Sequence, residues 1–308
     1  MNQPLLDHAT RTMAVGSKSF DTAAKLFDAD TRRSALMLYA WCRHCDDVID
    51  DQALGFNTGI ASATGAQQRL ATLETQTRQA YAGEPMETPA FAAFQEVALK
   101  HDIPPRRAFE HLEGFAMDVR DERYATFEDT LRYCYHVAGV VGLMMAQVMG
   151  VRDEEVLDRA CDLGLAFQLT NIARDIVEDA RIGRCYLPES WLAEEQLSMA
   201  TLADPSHRPR VARLAERLIN QAEPYYASAQ AGLSGLPLRS AWAIATAHGV
   251  YRKIGLKVQR AGAKAWDQRQ STSRQEKVAL LTKGSVLALS SRVTTPAPRP
   301  PGLWQRPA

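Results

Sequence analysis

Gln168-Leu169-Thr170-Asn171-Ile172-Ala173-Arg174-Asp175-Ile176-Val177-Glu178-Asp179 reads as one helix with a chemical face. At about 100° per residue, Gln168, Asn171, Asp175 and Asp179 fall in one narrow stripe. Leu165, Ala166, Leu169, Ile172, Ala173, Ile176 and Val177 cover about half of the remaining circumference, and Phe167 lies beyond that arc. A helix this apolar is expected to be largely buried, so its polar stripe faces a cavity rather than bulk water. Buried carboxylates need partners. Asp175 and Asp179 are four apart, about 5–6 Å at Cβ, and repel unless a cation or a proton lies between them.

A second stretch has the same shape. In Tyr39-Ala40-Trp41-Cys42-Arg43-His44-Cys45-Asp46-Asp47-Val48-Ile49-Asp50, one stripe holds Tyr39, Arg43, Asp46 and Asp50. His44, Asp47 and Asp51 adjoin it, so this arc by itself reads more readily as a solvated face. Two acid pairs on separate helices, one of them with little solvent face, favour a metal. Mg²⁺ takes one or two carboxylates and lets phosphate complete its shell. Asp46, Asp50, Asp175 and Asp179 are therefore expected to hold Mg²⁺ (or Mn²⁺), and through it a diphosphate.

The rest of the chain is helical in pattern. Helix-length periodicity falls near 18–28, 30–51, 66–82, 88–101, 105–121, 126–150, 153–180, 208–231, 236–261 and 272–290. Starts are signalled at Asp30-Thr31, Pro104-Pro105 and Thr126-x-x-Asp129, and breaks at Gly55–Gly65, Gly83–Pro89 and Asp204–Pro209. No alternating strand pattern and no repeat is found. The expectation is an all-α fold with residues 1–290 as one domain and 291–308, rich in Pro and Arg, as a disordered or loosely docked tail.

Bulk properties narrow the function. Lys+Arg and Asp+Glu are both 36 in 308 residues, so no electrostatic nucleic-acid binder is expected. No signal peptide is read at Met1-Asn2-Gln3-Pro4, and a cytoplasmic protein is expected. The longest apolar run, Val137 to Val151, is shorter than the ~20 residues a spanning helix needs. Cys42-x-x-Cys45 lies inside a helical pattern with no second pair to complete a zinc site, so buried helical cysteine is favoured over redox or metal.

The motifs also resemble a known family. The stretch Tyr39 to Asp50 is similar to the first aspartate-rich signature of squalene and phytoene synthases. Tyr133-Cys134-Tyr135-His136-Val137-Ala138-Gly139-Val140-Val141-Gly142 is similar to their central Tyr-Cys-x-x-Val-Ala-Gly segment. Gln168 to Asp179 resembles the second signature and is followed by Gly183-Arg184-Cys185-Tyr186-Leu187-Pro188. The match runs from Ser17-Lys18-Ser19-Phe20 to about Tyr251, and is strongest to bacterial phytoene synthases of carotenoid pathways.

That resemblance implies an isoprenoid-synthase helical bundle around a central cavity, with the acid pairs on opposite walls. It implies head-to-head condensation of two geranylgeranyl diphosphates through prephytoene diphosphate to phytoene, releasing diphosphate, with no nicotinamide cofactor. Arg43 and Arg174 are then expected to donate to phosphate, an ion pair with the adjacent Asp being the alternative for each. Tyr133 matches a tyrosine assigned to proton transfer, although a lone Tyr is usually core. Tyr39, Gln168 and Asn171 are expected at phosphate or metal-bound water, and Ser17, Ser19 and Tyr251 around the second diphosphate. Shorter-chain, dehydrosqualene-forming relatives carry bulky aromatics where this chain has Ala24 and Leu36, which implies a deeper tunnel here.

Other readings stay open. Val137, Val140 and Met144 line either that tunnel or ordinary core. Gly139 and Gly142 admit a substrate or a neighbouring helix. A dehydrosqualene- or squalene-type synthase acting on farnesyl diphosphate shares the motifs. A non-catalytic helical lipid-binding protein needs the cavity but not the doubled acid pairs, and a nucleotide-processing metalloenzyme is disfavoured by the apolar surroundings. Oily substrates suggest transient contact with a membrane, with the Pro/Arg tail as one point of contact, and with neighbouring pathway enzymes.

Overall fold

A computed structural model describes residues 3–50, 52–53, 56–57 and 63–307. Thirteen α-helices build the described part: α1 Gln3–Gly16, α2 Lys18–Ala24, α3 Ala29–Ile49, α4 Ala63–Ala82, α5 Pro89–Lys100, α6 Pro105–Val119, α7 Phe127–Cys134, α8 Val140–Val148, α9 Glu154–Arg181, α10 Glu189–Glu194, α11 Arg208–Ala231, α12 Leu238–Ala261 and α13 Arg274–Ser290. A two-residue strand pair, Gln52–Ala53 against Phe56–Asn57, is the sheet content among the described residues. The all-α expectation holds. Asp51, expected beside the first acid stripe, lies outside the described residues, as does most of the Gly55–Gly65 break. Gly65 itself sits inside α4.

Local chemistry sets the helix ends. Asp28 caps α3 by accepting from the Thr31 amide, two residues before the expected start. Thr126 and Asp129 form a reciprocal capping box on α7, and the Asp153 carboxylate accepts from Val156 N at the start of α9.

α9 runs through the middle of the bundle, packed by α8, α11 and α12. Its closest crossing is glycine-made. A Cβ on Gly164 would lie 2.3 Å from the Ala138 carbonyl oxygen, and one on Gly142 would lie 2.3 Å from that of Ala160. Gly142 thus admits a neighbouring helix.

The segment read as one helix over 126–150 is interrupted. A π-helical turn, Tyr135–Gly139, separates α7 from α8. Its i→i+5 bonding inserts an extra residue and rotates everything after it relative to a 3.6-residue pattern. Val140 and Met144 are fully buried in core, while Val137, Ala138, Val141, Gly142 and Met145 face the central cavity. Of the two open readings, cavity lining holds for Val137 and ordinary core for Val140 and Met144.

Of the two readings of the C-terminal end, disordered or loosely docked, the fold favours docking. Residues 291–307 fold back along α9. Arg299 grips Asp162, which is 0% exposed, through two bonds of 2.8 and 2.7 Å, and Ser228 donates to the same carboxylate. Arg306 pairs with Asp158 and Glu154, Leu303 is buried, and Trp304 packs on Tyr135 at 5.1 Å. The arginines that suggested a solvated tail are its anchors. Among the described residues no helix is long and apolar enough to cross a membrane.

Candidate active site

One cavity of about 770 Å³ opens between α2, α3, the π turn, α8, α9 and α12. α9 contributes a single face along its whole length. Val156, Arg159, Ala160, Leu163, Gly164 and Phe167 form its apolar half. Gln168, Asn171, Asp175 and Asp179 form the polar half. Helical periodicity thus places an apolar floor and a polar mouth on one continuous wall. On α3 the facing wall is Ala35, Leu38, Tyr39, Arg43, Asp46 and Asp50. Both acid stripes line the same space, so the solvated-face reading of the first stripe does not hold.

The acids are held by arginines. Arg174 donates to Asp175 through Nε and Nη2 at 2.9 and 2.5 Å, and Arg269 adds a contact of 3.2 Å. Arg43 lies 3.0 Å from Asp46 and 2.7 Å from Asp47. Arg184 spans to Asp50 at 2.5 and 3.2 Å, tying the segment after α9 to the end of α3. The ion pairs weighed for Arg43 and Arg174 are both present, and both side chains also line the cavity.

Burial disfavours the ionised form of two acids at the polar mouth. Burial, and then repulsion by Asp50 and Asp47 against the pull of Arg43, raises Asp46 to about 6. Burial and the neighbouring Asp175 raise Asp179 to about 7. The Asn171 side-chain oxygen is buried in this wall without a hydrogen-bond partner, while its amide donates to Gln168 at 3.2 Å. Crowded carboxylates and an orphaned oxygen are donors suited to a hard divalent cation. Among the described residues no three His, Cys, Asp or Glu converge as a complete metal cage.

Tyr133 lies at the wall, 4% exposed. Its hydroxyl donates to Asp118 Oδ2 at 3.3 Å, and its ring stacks on Tyr186 with centroids 4.5 Å apart. Burial raises the phenol well above its ordinary value, so it stays neutral. Asp118 is lifted to about 7, by burial first, with Arg184 opposing and Asp50 adding.

Tyr39 and Tyr251 also line the cavity, within an aromatic cluster: Phe20 lies 6.3 Å from Tyr39 and 5.2 Å from Tyr251, and Tyr251 stacks on Phe167 at 4.2 Å. Ser17 and Ser19 are not among the lining residues. The Ser17 hydroxyl caps α2 by accepting from Phe20 N and bonds Tyr251, one contact behind the surface. Ala24 lines the cavity, whereas Leu36 points into core; Ala35 and Leu38 beside it do line. Cys42 and Cys45 are free, and burial raises the Cys42 thiol to about 12 and Cys45 well above its ordinary value.

Sequence reasoning missed Asp118, Arg269, Phe20 and Phe167 at this site. Arg184 and Tyr186 stood inside a recognised motif but received no role. Asp118 and Arg269 carry no periodic signal, because they arrive from α6 and from the segment after α12.

A helical bundle with two acid walls at the mouth of one long apolar cavity is the architecture of isoprenoid synthases. The squalene/phytoene synthase family model matches residues 13–277. The chain is similar to the 15-cis-phytoene synthase of Pantoea ananas, 68% identical with all of both chains covered. It is also similar to the 15-cis-phytoene synthase of Paracoccus sp., 50% identical over 97% of each chain. Among solved structures, a dehydrosqualene synthase in complex with ligand is 27% identical, with a TM-score of 0.82 over 94% of this chain and 98% of that one. The chain belongs to the squalene/phytoene synthase family.

Proposed function

We propose that this protein is a phytoene synthase, a prenyltransferase that joins two geranylgeranyl diphosphates head to head through prephytoene diphosphate, the first committed step of carotenoid biosynthesis. One observation carries this reading: both acid walls sit at the mouth of a single cavity whose apolar half continues down α9 to Arg159. From Asp175 to Arg159 is about 24 Å of helix at 1.5 Å per residue. That depth suits a long prenyl chain with its diphosphate at the mouth. The relatives at 68% and 50% identity support the product.

Asp46, Asp50, Asp175 and Asp179 would hold Mg²⁺ (or Mn²⁺), which supplies Lewis-acid neutralisation of the leaving diphosphate. Arg43, Arg174, Arg184 and Arg269 exchange part of their carboxylate contacts for phosphate oxygens, a donor type the guanidinium fork suits. The allylic C1–O bond breaks and its electron pair leaves with diphosphate. The double bond of the second substrate attacks the resulting cation, and a proton is lost as the cyclopropane closes. Tyr133, held neutral beside Asp118, turns its hydroxyl from Asp118 to the departing diphosphate, gives it the phenolic proton and takes on the proton lost from the substrate carbon. The aromatic cluster of Phe20, Tyr39, Phe167 and Tyr251 excludes water and faces the cation with π density. Tyr39, Gln168 and Asn171 would orient phosphate or the water held with Mg²⁺, while Ser17 acts by holding Tyr251.

We further take residues 1–290 as one prenyl-condensing domain on which the segment from residue 291 is docked, in the cytoplasm and meeting the membrane transiently because substrate and product are oily. Incubating purified protein with Mg²⁺ and either geranylgeranyl or farnesyl diphosphate, then identifying the hydrocarbon, tests the reading. A C40 product from the C20 substrate is expected. A product from the C15 substrate alone, or none, overturns it.

A further inference from the structure

The floor of the cavity holds a charged residue that the condensation chemistry does not use. Arg159 lines the cavity and is 3% exposed. It stands four turns of α9 from the acid stripe, among Val156, Ala160, Leu163, Gly232 and Leu236. Its guanidinium is occupied: it donates to the Ser228 carbonyl at 3.2 Å, to Glu155 at 2.6 Å and to the Ala297 carbonyl at 2.8 Å. Its methylenes lie on Gly232, where an added Cβ would meet Arg159 Cβ at 2.9 Å and Cδ at 3.1 Å. Ala297 belongs to the folded-back C-terminal segment, locked just beyond by the buried Arg299–Asp162 pair.

We propose that Arg159, held by the C-terminal segment, closes the cavity floor and sets the longest prenyl chain the enzyme accepts. The stem forms the floor, and the tail keeps it from swinging away. Trp304, packed on Tyr135, ties the same segment to the π turn that crosses α9. A chain one isoprene unit too long must then displace either the stem or the tail, against three hydrogen bonds and a buried ion pair. This inference rests on the functional reading above.

The test compares binding of geranylgeranyl (C20), geranylfarnesyl (C25) and farnesyl (C15) thiodiphosphates to the full-length protein by calorimetry. Arg159→Ala removes the stem, Arg159→Met keeps it without the charge, and Gly232→Ala pushes it upward. Gly232 has φ −71°, so alanine is conformationally permitted there. A chain ended after Thr295 carries Asp162→Asn, so that no buried charge is stranded. Arg159→Ala and the shortened chain should move the C25:C20 affinity ratio toward C25 by about tenfold or more, since single methylenes in apolar pockets are discriminated about 10–200-fold. Arg159→Met should leave that ratio near wild type, and Gly232→Ala should shift preference toward C15. Wild type that binds C20 while Arg159→Ala and Gly232→Ala leave both ratios unchanged overturns the ruler alone. Wild type that binds none of the three overturns the functional reading and the ruler with it.

Discussion

Replacing Tyr133 with Phe removes one oxygen and little else. The ring stays stacked on Tyr186, with planes 16° apart, so the packing of this buried wall survives. What goes is the hydrogen bond to Asp118, which at 3.3 Å is long, and the hydroxyl's contact with Tyr186. A net hydrogen bond contributes about 0.5–1.5 kcal/mol, so the loss should sit near the lower bound. In a chain of this size that moves the melting temperature by about 1–3 °C. Loss of a proton-transfer group costs far more in rate, about 10²–10⁴-fold, equivalent to about 3–5 kcal/mol of barrier. The two effects are therefore separable in one variant. Thermal melts, KM for geranylgeranyl diphosphate and single-turnover formation of the cyclopropyl intermediate measure them. The expected pattern is a near-native melt, little change in KM and at least about a hundredfold slower intermediate formation. Parallel losses of binding and rate, or no loss, would mean that Tyr133 only packs.

Asp175→Asn and Asp179→Asn should lower Mg²⁺-dependent turnover by orders of magnitude while circular dichroism stays native; near-normal activity with Mg²⁺ sinks the metal assignment. The carboxyls of Asp46, Asp179 and Asp118 are raised to about 6, 7 and 7. A raised carboxyl favours the folded state while protonated, so metal-free protein loses that contribution as pH climbs from about 4 to about 7. Mg²⁺ needs the ionised acids, so its rise in melting temperature should be larger at pH 8 than at pH 5, and equal shifts at both would refute it. Ala24→Phe projects into the cavity and should shift preference from geranylgeranyl toward farnesyl diphosphate, whereas Leu36→Trp overpacks core and should cost about 1–3 kcal/mol without changing the product; a product change from Leu36→Trp alone reverses that assignment. Gly164→Ala sets a Cβ 2.3 Å from the Ala138 oxygen and 2.7 Å from Gly139 Cα, both backbone, so a melting temperature equal to wild type would show that the crossing is not tight.

What the sequence by itself determined is everything encoded within about a dozen residues. Each acid stripe is a property of one helix, where position along the chain fixes direction around the axis. So Tyr39, Arg43, Asp46 and Asp50, and Gln168, Asn171, Asp175 and Asp179, could be grouped before any coordinates, and both groups line one cavity. The all-α class follows from the same periodicity. Tertiary structure decided what depends on elements far apart. Asp118 reaches the site from α6 and Arg269 from the segment after α12, and no local pattern marks them. The face of α8 could not be read because the π turn at Tyr135–Gly139 breaks the 3.6-residue phase, and nothing in Val137 to Met145 announces it. The two readings of the tail stayed open for a related reason. Its Pro and Arg composition describes how it behaves alone, but Asp162, Asp158 and Glu154, more than a hundred residues earlier, supply the charges that anchor it. Composition registers which charges a segment carries, and only the fold decides whether their partners are within reach.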